Sequence, residues 1–132
     1  MNLSMLEILQ ETIDYYSEDI ARRSLEGRTG FYHSIDGKQC AVGRCLKKEF
    51  TQLGHKMPGN DFDLLGLIIV NQANSLDELL LSKYQGAPLL FWRDLQNLHD
   101  LNVYWDNVGL SDKGKDKAKQ ITDRINTNYY CA

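Results

Sequence analysis

Apolar side chains near the start of the chain, Leu6, Leu9, Ile13 and Tyr16, recur at steps of three and four, the spacing of one face of an α-helix. Ser4 with Glu7 three residues on forms a capping box, and Leu3 with Ile8 can close a hydrophobic staple, so a helix is expected over Asn2 to Ser17. The pattern fades through Arg22, Arg23, Gly27 and Gly30. Phe31 to Ile35, followed by Asp36-Gly37, resembles one arm of a hairpin and its turn. From Gln39 the helical period returns, with Val42, Cys45, Leu46, Phe50 and Leu53 on one stripe and Arg44, Lys47, Lys48 and Thr51 opposite.

Gly54, Pro58 and Gly59 mark a loop, after which Asp61 to Gln72 is apolar all round. It suits a buried helix or a buried strand, and helix is favoured. Ser75 with Glu78 forms a second capping box opening Leu76 to Tyr84, and Gly86 closes that element. Pro88 stands where a first-turn proline belongs, Leu90, Phe91, Asp94, Leu95 and Leu98 line the next helix, and that helix ends near His99. Ser111 then caps a last helix through Asn126 with Ala118, Ile121 and Ile125 inside. The expectation is a mainly α, single small helical domain over residues 1–132, of about five helices with a short β-hairpin near Asp36-Gly37. Leu6, Leu9, Val42, Leu46, Phe50, Leu65, Ile68, Leu95, Leu98 and Ile121 should be buried.

The composition, 42% hydrophobic and 25% charged over 132 residues, is that of an ordinary globular chain rather than a disordered one. The longest apolar run, Leu64 to Val70, falls far short of the roughly 18 residues that cross a bilayer. Met1 to Glu11 lacks the basic start and apolar stretch of a signal peptide, so a cytoplasmic protein is expected. Three cysteines without paired spacing should be free thiols there.

Charge is unevenly distributed. Residues 1–20 carry five acids and no base, residues 21–56 carry a net charge of +5, residues 57–110 return to −5, and the C-terminal segment is +2, for a total of −3. The basic stretch can be a solvated face paired with the acidic first helix, or an anion site. Duplex nucleic acid is not expected at this acidic balance.

Two stretches carry a family likeness: Tyr32 followed by Asp36-Gly37-Lys38-Gln39-Cys40-Ala41-Val42-Gly43, and Asp94-Leu95-Gln96-Asn97-Leu98-His99-Asp100. They resemble a family of small, uncharacterised proteins found mostly in tailed phages and prophages, marked by Gly-x-x-Cys-Ala-Val-Gly and a later Leu-Gln-x-x-His-Asp. Trp105 and Gly109-Leu110-Ser111 extend the likeness, which covers roughly residues 30–114. It implies a phage origin and carries no activity with it. Many relatives have a cysteine just before the tyrosine where this chain has Gly30-Phe31, and that departure counts against a two-cysteine metal or redox role.

Cys40 has two readings. At a helix start on the Arg44 and Lys47 side its thiol would be acidified, and His99 with Asp100 could supply a base and its orienting carboxylate. The bland reading makes Cys40 a small packing residue, with Gly43 allowing a close backbone approach. Cys45 belongs to the core stripe, and Cys131 is terminal. His99 can equally serve its own helix, at the C-terminal end of the dipole. With His33 and His55 it forms no metal-ligand spacing, so no metal and no cofactor are expected.

The helix start at Lys38 and Gln39, with Arg22, Arg23, Arg28 and Arg44 nearby, suits a phosphate or carboxylate, and Tyr32 could stack on a base. Phe91, Trp92, Tyr104 and Trp105 are read first as packing, with Trp92 and Trp105 also placed to close a pocket. The leading expectation is a phage accessory protein that binds a small anionic, nucleotide-like ligand or a host protein without catalysis. One alternative is a cysteine-dependent hydrolase or transferase using Cys40, His99 and Asp100; another is a helical interaction protein with no ligand.

Overall fold

The computed structural model describes residues 2–22, 25–26, 29–30, 41–47, 68–69 and 72–130. Three α-helices dominate them: α1 (Met5–Glu18), α2 (Leu89–Asp100) and α3 (Asp112–Asn126). Two minimal antiparallel hairpins accompany the helices. In one, β1 (Leu25–Glu26) pairs with β2 (Thr29–Gly30); in the other, β3 (Trp105–Asp106) pairs with β4 (Gly109–Leu110), setting Trp105 opposite Leu110 and Asp106 opposite Gly109. Single 3₁₀ turns cover Ile20–Arg22, Gly43–Cys45, Leu76–Leu79, Ser82–Tyr84 and Asn102–Tyr104. The described residues are thus mainly helical. No helix among them is long and apolar enough to cross a membrane.

Local chemistry explains where the long helices begin. Ser4 caps α1 in a full capping box, accepting from the Glu7 N–H at 3.1 Å while the Glu7 carboxylate accepts from the Ser4 N–H at 2.9 Å. Pro88 precedes α2, and the Ser111 hydroxyl caps α3 by accepting from the Gly114 N–H at 3.1 Å. α1 packs against β4 and α3, and α2 packs against α3. Ile8, Leu9 and Tyr16 of α1 meet Phe91, Trp92, Leu95 and Leu98 of α2 and Ile121 of α3 in one buried cluster, together with Val42, Cys45, Leu46, Leu79 and Leu80.

The expected count of about five helices is not borne out: the described residues hold three α-helices. Leu76 to Tyr84 is two 3₁₀ turns rather than one helix, and the described part of the Gln39 stripe is one 3₁₀ turn followed by extended backbone. One cause accounts for both changes. Leu46 and Leu80 form an antiparallel bridge, with Lys47 N–H donating to the Leu79 carbonyl at 2.8 Å and Leu81 N–H to the Cys45 carbonyl at 2.9 Å. Backbone groups used across the chain are then unavailable to an i to i−4 helical ladder. The second capping box does not form: Ser75 makes no cap bond, and the Glu78 carboxylate accepts instead from the Asn74 N–H at 2.7 Å.

Of the expected core, Leu9, Val42, Leu46, Leu95, Leu98 and Ile121 are buried and Ile68 is half-buried. Leu6 is the exception at 41% exposure. The buried face of α1 carries Ile8, Leu9, Thr12 and Tyr16, and Leu6 stands at its edge, about 100° round the helix from the middle of that face. Phe50, Leu65, the turn at Asp36-Gly37 and most of 61–72 lie outside the described residues; Ile68 and Ile69 have helical backbone.

Candidate functional site

Two arginines of the basic segment are described, and both are engaged with α1. Arg44, only 9% exposed in its side chain, donates from Nη1 to the Glu11 carboxylate at 2.6 Å and to the Tyr84 hydroxyl at 3.1 Å, and from Nη2 to Thr12 Oγ1 at 3.0 Å. The Thr12 hydroxyl donates in turn to the Ile8 carbonyl, and the Tyr84 hydroxyl donates to Glu11. Burial works against the guanidinium's charge, but its partners, chiefly the Glu11 carboxylate at neutral pH, outweigh that and raise its pKa. Partial burial likewise pushes the Glu11 carboxyl up, yet the bonds from Tyr84 and Arg44 hold it below its ordinary range.

Arg22 donates to the Tyr15 carbonyl at 3.0 Å and to Glu18 at 3.3 Å, with its guanidinium 4.6 Å from the Tyr15 ring centroid. The acidic first helix therefore neutralises both arginines, and Arg44 serves an internal network rather than an open anion site. Arg23, Arg28, Tyr32, Lys38, Gln39 and Cys40 lie outside the described residues.

The two sequence signatures meet. Gln96 of α2 is fully buried, and its side-chain oxygen accepts from the Val42 N–H at 3.1 Å across 54 residues of chain. His99, one turn further on, is also fully buried, with its ring edge-on to Tyr16 at 5.0 Å between centroids. Asp100 is the last residue of α2. Trp92 and Trp105 are buried packing residues, and Trp105 Nε1 donates to the Leu98 carbonyl at 2.8 Å. Burial pushes the Cys45 thiol up to about 12, so it behaves as a small apolar core group.

A cationic cleft of about 370 Å³ lies instead between α2 and α3. Leu90, Arg93, Asp94 and Asn97 come from one face of α2, at steps of three and four, while Lys117 and Arg124 come from α3 two turns apart. Tyr129, just past the end of α3, completes the wall.

Asp94 organises the centre of this cleft. Its Oδ2 accepts from Arg124 Nη1 and from the Tyr130 hydroxyl, each at 2.6 Å, and Lys117 Nζ stands 4.0 Å from Oδ1. Burial first, and then the bond to Asp94, raises the Tyr130 pKa, so that hydroxyl stays a donor. The hydrogen bond to Asp94 likewise raises the pKa of Arg124. Two cations thus share a single carboxylate, and Arg93 adds a third positive side chain to the lining. A hollow of about 530 Å³ on α1 is larger, but Glu7, Glu11, Asp14 and Glu18 line it, a sign of charge that repels anions.

None of these cleft residues stands among the expected ligand residues. The available signal was the +2 charge of the C-terminal segment, which reads equally well as the solvated face of a terminal helix. Comparison with known proteins finds no matching family model, no matching curated protein and no matching solved structure.

Proposed function

We propose that this chain is a non-catalytic binding protein, a phage accessory protein acting in the host cytoplasm, whose ligand is a small anion. The observation that carries the reading is the cleft between α2 and α3, where Lys117 and Arg124 share the one charge of Asp94. An incoming phosphate or carboxylate would meet the remaining positive charge there, in a hollow large enough for a small molecule. Side chains already held by Asp94 need little ordering when a ligand arrives. Burial of His99 against Tyr16 also favours binding over catalysis, because a general base must reach the proton that it removes.

Calorimetric titration at low salt with inorganic phosphate, sugar phosphates, nucleotides and cyclic dinucleotides tests the reading. Binding should weaken about tenfold in Lys117→Gln and fall further with added salt. Arg22→Ala should leave it unchanged. Loss through Arg22 rather than Lys117 would return the site to the basic segment, and failure of every anion to bind or to raise the melting temperature would overturn the proposal.

A further inference from the structure

Resting on that reading of the cleft, we infer that its ligand joins a phosphate to a flat aromatic ring, a nucleoside monophosphate in chemical class, with the ring at the Leu90 and Tyr129 end. The contacts between α2 and α3 set the order of groups along the cleft. Phe91, in the first turn of α2, packs edge-on to Tyr130, which follows α3, at 5.7 Å between centroids. Asp94, one turn along α2, takes Arg124 from the last turn of α3. The end of α3 therefore lies beside the start of α2. Leu90 and Tyr129 share one end of the cleft, Arg124 reaches from the Tyr129 ring to one oxygen of Asp94, and Lys117 approaches the other oxygen.

The two ends ask for different chemistry. Leu90 is 46% exposed and Tyr129 55% exposed, so an apolar side chain and an aromatic ring stand in solvent beside the cations. Tyr129 is held rather than loose: Arg124 lies 4.8 Å from its ring centroid, and the Tyr130 ring meets it edge-on at 5.4 Å. An inorganic anion would leave that end unused. A base laid against Tyr129 and Leu90 would cover apolar surface, and base stacking on an aromatic side chain is worth roughly 5- to 150-fold in affinity. Four helical steps separate Leu90 from Asp94, where Lys117 and Arg124 meet, about 6 Å along the axis. That length suits a ring and a phosphate joined through one sugar.

The test compares four nucleoside 5′-monophosphates (AMP, GMP, CMP and UMP) with ribose 5-phosphate by calorimetry, on the wild-type chain and on Tyr129→Ala and Tyr129→Phe. At least one nucleotide should bind about tenfold or more tightly than ribose 5-phosphate. Tyr129→Ala should erase that margin and Tyr129→Phe should keep it. Ribose 5-phosphate matching all four nucleotides, or a margin that survives Tyr129→Ala, would overturn the aromatic ligand and leave the anion site standing. No binding by any of the five would overturn both. Tyr129 is largely exposed, so its truncation should leave the fold intact.

Discussion

Glu11 and Arg44 show how a single pair can decide what a charged segment does. Arg44 is nearly enclosed, so removing its carboxylate partner would leave a buried charge with only hydroxyl partners, whereas Glu11 keeps 36% of its side chain in solvent. A fully buried pair broken on one side costs about 3–5 kcal/mol, and partial exposure lowers the expected cost of Glu11→Gln to about 1–3 kcal/mol at pH 7. The pH dependence follows from the lowered pKa of Glu11 in the folded chain. Its contribution is complete above the ordinary carboxyl value of 4.5 and is lost as the pH falls below that value and through the lowered folded one. Urea denaturation at pH 7 and again near pH 3 checks this. The gap between wild type and Glu11→Gln should be clear at neutral pH and shrink in acid, and an equal gap at both would show that the pair does not titrate with folding.

At the scale of elements, the starts of the long helices are legible in the sequence because they depend on residues close along the chain: the Ser4 and Ser111 hydroxyls accept from N–H groups three positions on, and Pro88 stands at the boundary of α2 without a cap bond. Leu76 to Tyr84 departs from its expected helix for the opposite reason: its helical spacing is real, but the bridge from Leu80 to Leu46 crosses from a distant segment and takes its backbone bonds. Gly114 marks another long-range constraint, in the first turn of α3. A Cβ there would sit 2.0 Å from the Tyr104 carbonyl oxygen, which accepts from the Ser111 N–H at 2.9 Å. Helix propensity alone would favour Gly114→Ala by about 1 kcal/mol. Overpacking against backbone costs about 1–3 kcal/mol or more, so the substitution should lower stability by the difference, about 2 kcal/mol or more at this 2.0 Å approach, and displace the β4 to α3 junction. A thermal melt of Gly114→Ala that rises above wild type would show that the junction yields freely.

Across the whole molecule, the sequence marked two signatures without saying how they meet, and it did not bring Arg93, Lys117 and Arg124 into one cleft, because those residues gather only once α2 and α3 pack. The two signatures are joined by a hydrogen bond in the buried interior, from Val42 N–H to Gln96, with both residues fully buried. Such a bond adds only about 1 kcal/mol net when formed, but an acceptor replaced by a hydrocarbon leaves a buried N–H unsatisfied at about 1–3 kcal/mol. Gln96→Leu keeps most of the side chain's bulk while removing the acceptor, so it should destabilise the chain by about that amount rather than stabilise it as an added apolar core residue would. Amide hydrogen exchange locates the effect. The Val42 amide should exchange slowly in the wild type and much faster in Gln96→Leu, while the capped start of α1 at Glu7 keeps its rate relative to global unfolding. Unchanged protection at Val42 together with unchanged stability would show that the Val42 amide does not depend on the Gln96 acceptor for its protection.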